Sequence, residues 1–332
     1  MQRNIAIVGS GSWGTALASH FAKLGHNVLI WGIDEKEILE INSNKSNKKY
    51  LPSYQLPKGI NASLELEHVL KNTTETIVAV PSHAFRETLS RISKNKHLIK
   101  SLSWATKGFE IETGKLLNSI AEEELGEDIV TAVLSGPTFA LEVAKGLPSA
   151  ITIASDDRAY CKKMAELITS ESFRAYTSND IIGVEVGGSV KNILAIAAGI
   201  SDGLGFGANT RAALITRGLS EIIKLGTKLG ADKDTFTGLS GIGDLILTCS
   251  DNQSRNRRFG IELAKGKNIK AAQKAIGQTI EGCLASIATY NISKKLNIEM
   301  PITHEVYKII YENETPENAI RRLMTRPITS EK

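Results

Sequence analysis

Cysteine is scarce in this chain. Cys161, Cys249 and Cys283 stand far apart with no metal-ligand spacing between them. That excludes a disulfide-stapled scaffold and fits a reducing compartment. The six histidines show no metal spacing either, and His304 beside Glu305 reads as structural; no metal is expected. Charge of one sign is also missing: 40 lysines and arginines face 36 acidic residues, a net charge of +4. The basic residues are scattered apart from Arg255, Arg257 and Arg258. A nucleic-acid partner leaves a stronger basic face, so none is expected, whereas a small anion needs only a local patch. No uninterrupted apolar run is long enough to span a bilayer. The short apolar opening is ended by Gly9, Gly11 and Gly14, so it does not read as a signal peptide. No membrane insertion is expected, and the cytoplasm is the default location. Repeats and low-complexity tracts are absent.

What is present is a globular composition, 42% hydrophobic and 23% charged over 332 residues, long enough for two domains. Ile5–Val8 reads as a buried parallel strand, apolar throughout. Gly9-Ser-Gly11-Ser-Trp-Gly14 follows, and then a helix over Thr15–Leu24 that ends at Gly25. In that order the three glycines have separate tasks: a tight turn, backbone approach to a pyrophosphate, and close helix–strand packing. The phosphates would meet free amides at the helix start. A second strand covers Asn27–Trp31, and Asp34 lies at the distance expected of the acid that holds the adenosine ribose. Asp34 reads equally as a surface loop acid. No arginine follows this strand, so a 2′-phosphate has no local clamp, which leans toward NAD.

Asn42–Gly59 is polar and reads mostly as loop. Further strands are expected over Thr76–Val80, Leu98–Trp104, Ile129–Leu134 and Ala150–Ala154, with a short edge strand at Arg174–Tyr176. Helices are expected over Ala84–Ile92 and Tyr160–Ile168. Ligands bind outside the carboxyl ends of parallel strands, where Lys107 and the Ser135–Ala140 loop fall. Lys107 reads either as a functional group or as a solvated turn lysine. This module, residues 1–180, is expected to be a dinucleotide-binding, doubly wound α/β sheet of Rossmann type. Residues 181–332 are expected to form an all-α domain with helices over Val184–Ile200, Thr210–Leu229, Arg257–Lys265, Ile269–Ala275, Cys283–Leu296, Met300–Tyr311 and Pro316–Met324, another opening at Asp234–Asp244, and a frayed end at Ser330–Lys332.

Lys191 stands out in this second half. It sits in Glu185-Val-Gly-Gly-Ser-Val-Lys-Asn-Ile-Leu, among apolar or small residues, where an unpaired ammonium is costly. Gly187 and Gly188 precede it by four and three positions on the same helical face, and would clear room for a ligand beside it. It reads as a proton donor for hydride transfer, or as a lysine that snorkels to solvent or joins a structural ion pair. Asp244 is a candidate partner. Ser254-Arg-Asn-Arg-Arg258 has a composition suited to phosphate, or is a surface basic turn. Glu281-Gly282 would reach a nicotinamide amide or ribose, or cap a helix.

Taken in order, these pieces resemble the bacterial NAD(P)-dependent glycerol-3-phosphate dehydrogenases over essentially the whole chain. The motifs are Gly9–Ala16, Gly25-His26 leading to Trp31, Tyr50-Leu-Pro52, Ala105-Thr-Lys-Gly108, Leu134–Ala140, Val190-Lys-Asn192, Gly238–Leu245, Ser254–Gly260 and Glu281-Gly282. The resemblance implies that Lys191 is the acid/base, that Asp244 orients or pairs with it, and that Lys107 binds substrate. It implies substrate contacts from Gly136, Thr138, Ser254, Arg255 and Asn256. It places the cofactor, NAD(H) or NADP(H), against Gly9, Gly11, Ser12, Trp13, Gly14, Ile33, Asp34, Tyr50, Lys107, Ala140, Arg255 and Glu281. Many relatives carry an arginine or histidine where this chain has Ile33, which weighs against strong NADP preference. The implied reaction interconverts dihydroxyacetone phosphate and sn-glycerol 3-phosphate, feeding phospholipid head-group synthesis, in a homodimer. A β-hydroxyacid or sugar-phosphate dehydrogenase would share the same lysine, and a non-catalytic nicotinamide sensor would share the glycine turn.

Overall fold

The computed structural model describes residues 2–327 and Ser330; Glu331 and Lys332, expected to fray, lie outside the described residues. Eight strands form one sheet: β1 (Asn4–Val8), β2 (Asn27–Trp31), β3 (Ile60–Ser63), β4 (Glu75–Val78), β5 (Ser101–Trp104), β6 (Val130–Ser135), β7 (Ser149–Ala154) and β8 (Phe173–Ser178). The spatial order is β3-β2-β1-β4-β5-β6-β7-β8. All neighbours are parallel except β6 and β7, which run antiparallel. The order reverses between β1 and β4, which opens a crevice beyond their carboxyl ends. Ile5, Ala6, Ile7 and Val8 are fully buried, as a central strand covered on both faces requires.

Seven helices pack with the sheet: α1 (Ser12–Lys23), α2 (Glu35–Asn44), α3 (Leu66–Lys71), α4 (Phe85–Ser93), α5 (Leu117–Leu125), α6 (Ala140–Lys145) and α7 (Arg158–Ile168). One apolar layer joins the sheet to Leu17 and Phe21 of α1, Ile38 and Ile41 of α2, and Met164 and Ile168 of α7. The opposite layer holds Val69 of α3, Phe85 and Leu89 of α4, and Leu117 and Ile120 of α5. Helices therefore cover both faces, the doubly wound arrangement expected from the sequence. Between β6 and β7 the chain makes the six-residue α6, and β7 runs antiparallel to β6.

The helical half contains α8 (Ile181–Gly203), α9 (Ala208–Lys228), α10 (Asp244–Ser250), α11 (Arg255–Ala264), α12 (Ile269–Ile276), α13 (Glu281–Lys295), α14 (Pro301–Tyr311) and α15 (Pro316–Met324). Asp180 caps α8, accepting the Gly183 N–H at 2.8 Å. Ile181 and Val184 of α8 join the core beneath the sheet. Val186 to Ile200 centre a separate core with α9, α10, α11, α13 and α14. Among the described residues α8 is the one helix long and apolar enough to cross a membrane, a property the interrupted run in the sequence did not suggest. Here 94% of its most apolar window is buried inside the protein, as a core helix.

One reading needs correction. The helix expected over Asp234–Asp244 is a 3₁₀ turn at Lys233–Thr237 and a wide π turn at Leu239–Gly243, with non-helical torsions at Gly241; α10 starts only at Asp244. A Cβ at Gly241 would lie 2.2 Å from the Phe236 carbonyl oxygen, so the backbone doubles back there. The elements α2, β3, α3, α5 and α6 were not read from the sequence at all.

Candidate active site

One carboxylate lies between two ammoniums. Lys191 projects from the middle of α8 and is only 6% exposed. Its Nζ donates to Asp244 Oδ1 at 2.5 Å and to Thr248 Oγ1 at 2.9 Å. Lys107, beyond the carboxyl end of β5, donates to Asp244 Oδ2 at 2.6 Å and to the Gly136 carbonyl at 3.3 Å. Thr138 Oγ1 donates to the same carbonyl at 3.2 Å. Lys107, Lys191, Asp244, Gly136 and Thr138 are thus brought together, where sheet and helical half meet. Burial lowers the Lys191 pKa to about 8, against the attraction of Asp244 and with some repulsion from Lys107. Burial alone would raise Asp244, but the two ammoniums hold it below its ordinary value, so it stays ionised. With both lysines protonated, the cluster carries one surplus positive charge.

The Leu239–Gly243 turn makes this possible, because it delivers Asp244 to the flank of α8. Here the expectation for Gly187 and Gly188 is corrected. A Cβ on Gly187 would sit 2.6 Å from the Ser240 carbonyl oxygen, and one on Gly188 would sit 2.9 Å from Ser135 Oγ and 3.4 Å from Lys107 Cδ. The room they leave seats the turn and the Lys107 stem, not a ligand.

The glycine turn lies at the β1–β4 crevice. Gly9 has φ +124, and a Cβ there would meet the Ala79 carbonyl oxygen at 2.7 Å; one on Gly14 would meet the Gly9 carbonyl oxygen at 2.0 Å. A Cβ on Gly11 would meet nothing within 4 Å, and α1 has no side-chain cap at that residue. Free amides and an open approach therefore coincide at the start of α1, which fits a dinucleotide pyrophosphate. Ser12 Oγ donates to the Tyr50 carbonyl at 3.2 Å. Trp13 and Ala140 pack in one small apolar cluster. Asp34 caps α2, its Oδ1 accepting the Lys36 N–H at 2.9 Å. Ile33 beside it is 79% exposed. These two stand at the end of β2, apart from the lysine pair.

The Ser254–Arg258 segment is no surface turn. Ser254 is buried and caps α11, its Oγ accepting the Arg257 N–H at 3.2 Å. Arg257 is also buried, and its guanidinium pairs with Asp202. Asn256 donates to Asn192 Oδ1 at 2.9 Å and accepts the Gly282 N–H at 2.9 Å, joining α8, α11 and α13. Half-buried Arg255 donates to Gln278 Oε1 at 3.2 Å; burial lowers its pKa, and Glu281 is its main compensating charge. Glu281 reaches across to the other half, accepting the Ser82 N–H at 3.2 Å and the Ser82 hydroxyl at 2.6 Å. Burial raises its pKa against those bonds.

Comparison with known proteins shows the family. Residues 4–161 match the NAD-dependent glycerol-3-phosphate dehydrogenase N-terminus and residues 180–321 the C-terminus of the same family. The chain is 46% identical over 329 residues to glycerol-3-phosphate dehydrogenase [NAD(P)+] of Shewanella halifaxensis, covering 99% of this chain and 97% of that one. It is 47% identical to the enzyme of that name from Bartonella tribocorum, with 98% of each covered. The crystal structure of glycerol-3-phosphate dehydrogenase from Coxiella burnetii superposes with a TM-score of 0.94 at 44% identity, covering 98% of this chain and 99% of that one. The chain belongs to the NAD-dependent glycerol-3-phosphate dehydrogenase family.

Within this dehydrogenase, three polar groups around the lysine pair were not predicted. Thr248 holds Lys191, and its position four residues after Asp244 puts both on one face of a helix, a legible signal. Ser82 follows Pro81 at the carboxyl end of β4, where the topology rule points. Asn192 stands in the sequence only as the residue after Lys191; nothing local announces that it bonds Asn256, 64 residues away.

Proposed function

We propose that this chain interconverts dihydroxyacetone phosphate and sn-glycerol 3-phosphate with NAD(H) or NADP(H), supplying a phosphorylated glycerol for phospholipid synthesis. The observation that carries the reading is the Lys107–Asp244–Lys191 cluster: a buried ammonium with a lowered pKa, held by one ionised carboxylate at the junction of a dinucleotide-binding sheet and a helical half. A dinucleotide held by the glycine turn at its pyrophosphate would supply or accept the hydride at the substrate C2 through its nicotinamide. Lys191 donates a hydrogen bond to the carbonyl oxygen, stabilises the negative charge that develops there and gives up its proton. Asp244 keeps the Lys191 nitrogen in place in both protonation states. Lys107, Gly136 and Thr138 line the reacting end, and Ser254, Arg255 and Asn256 hold the phosphate, whose remote binding energy orients the ketone. Ser12, Trp13, Tyr50, Ala140, Arg255 and Glu281 border the cofactor, with Ile33 and Asp34 at its adenosine end.

The same reading divides the chain at residues 180/181, supported by the cap that Asp180 provides to α8. It includes a homodimer in the cytoplasm, with no nucleic-acid partner and no membrane insertion. The scattered charge and the burial of α8 support the last two. The deciding experiment is oxidation of NADH and of NADPH with dihydroxyacetone phosphate, against a substrate-free blank and a β-keto acid. Ketone-phosphate-dependent oxidation well above both controls is expected. Oxidation no faster than the blank, or faster with the β-keto acid, would overturn the assignment.

A further inference from the structure

The end of β2 carries an ion cluster that the reaction does not use. The Gly9 N–H donates to the Trp31 carbonyl at 2.8 Å, so the glycine turn and the end of β2 are adjacent. From within that turn, Ser10 Oγ donates to Glu37 Oε2 at 2.8 Å. Glu37 is buried on the first turn of α2, and its Oε1 accepts from Lys49 Nζ at 2.6 Å. Lys49 is also 3.7 Å from Asp34 Oδ2. Buried Asn47 fixes this loop, donating to the Ser10 carbonyl at 2.8 Å and to Thr15 Oγ1 at 2.9 Å. The cluster thus sits beside the turn that receives the pyrophosphate, at the strand end where the adenosine ribose of a dinucleotide lies.

Four features there oppose a 2′-phosphate. Asp34 already accepts the first free amides of α2, at Lys36 and Glu37, so the helix start offers no anion cradle. Lys49 is committed to Glu37, and that hydrogen bond raises its pKa well above the ordinary lysine value. With the exposed Glu35 and Lys36, the edge has three carboxylates against two ammoniums. Arg91, whose guanidinium lies over the Trp31 ring, is paired with Glu87 at 2.6 Å. By contrast, Asp34 Oδ2 has no closer partner than Lys49 at 3.7 Å, and it is free to accept a ribose hydroxyl.

We infer that this edge selects NADH over NADPH, with Glu37 setting the preference because it adds a negative charge and engages Lys49 of the 45–50 loop. A 2′-phosphate, nearly doubly ionised at neutral pH, meets three carboxylates and a lysine already engaged by Glu37, with the exposed Lys36 as the one unpaired cation among the described residues of this edge; a 2′-hydroxyl meets an acceptor. This rests on the cofactor placement proposed above.

The test is equilibrium titration of the purified enzyme with NADH and NADPH, read by quenching of tryptophan fluorescence with no substrate present. The expected NADPH Kd is at least about tenfold the NADH Kd, and the gap narrows as salt screens the repulsion. Glu37→Gln keeps the shape and an acceptor for Ser10 while releasing Lys49, and should close the gap by roughly tenfold, mainly through tighter NADPH binding. Adding Lys49→Ala to that variant should reopen it. Ile33→Arg, at an exposed position that does not endanger the fold, should also tighten NADPH binding. Equal affinities in the unmodified enzyme, or a ratio unmoved by both Glu37→Gln and Ile33→Arg, overturn the selectivity alone. Failure of both cofactors to bind overturns the placement with it.

Discussion

Lys191 has few neighbours able to keep it charged: Asp244, Thr248 and little else, within an apolar helix. Its pKa of about 8 therefore links both directions of the reaction to pH in opposite senses. Ketone reduction needs the ammonium, so kcat/KM for reduction should fall as pH rises through about 8. Alcohol oxidation needs the neutral amine and should rise over the same interval. Paired pH–rate profiles measure this, and a reduction rate that stays level across that interval would remove Lys191 as the proton donor. Lys191→Ala should lose roughly 10²–10⁴ in turnover while NADH titration still shows binding. Arg255→Ala should raise the KM for the phosphorylated ketone far more than the Kd for cofactor; equal losses would take the arginine out of a substrate-specific role.

Single elements decide whether those side chains meet. The π turn at Leu239–Gly243 rests on the Gly187 face of α8 and starts α10 with Asp244 toward Lys191. Gly187→Ala would push a methyl group against the Ser240 carbonyl. It should cost about 1–3 kcal/mol of stability, typical of overpacking, and lower kcat through displacement of Asp244. Urea unfolding with steady-state kinetics reads both; normal values in each would show that the turn has slack. The sequence revealed the central strands well because β1 and β2 are covered on both faces and read as continuous apolar runs. It hid β3, whose Ile60-Asn-Ala-Ser63 is short, polar and at the sheet edge. It misrepresented the turn before Asp244, where glycines among apolar residues look like a helix opening. The glycine turn and the two lysines were legible from their motifs, whereas the Ser10–Glu37–Lys49 cluster was not, because its partners lie 27 and 12 residues apart and no local pattern couples them.

The whole molecule also carries buried carboxyls outside the cleft. Glu185 of α8 accepts the Trp104 indole N–H at 3.0 Å and the Asn118 N–H at 3.2 Å, and burial raises its pKa to about 8. Glu221 of α9 accepts the Ile302 and Thr303 N–H groups at the start of α14, and burial raises its pKa to about 7. Between the ordinary value of 4.5 and these folded values the native state binds more protons than the unfolded chain. The stability these carboxyls contribute is complete below 4.5 and is lost as pH rises through the folded pKa. Glu185→Gln should blunt that loss, so its urea midpoint should gain on the unmodified protein as pH increases toward 8. A constant difference across the range would mean that Glu185 is ionised in the native state.

The helix that carries Lys191 belongs to two interiors at once: its first turn is packed beneath the sheet and its remainder forms the axis of the helical half. Neither interior can come apart while this shared axis stays whole, and neither can keep its packing once the axis melts. Heating should therefore dismantle the enzyme in a single calorimetric step, with fluorescence and circular dichroism transitions coincident, despite a chain long enough for two independently melting parts.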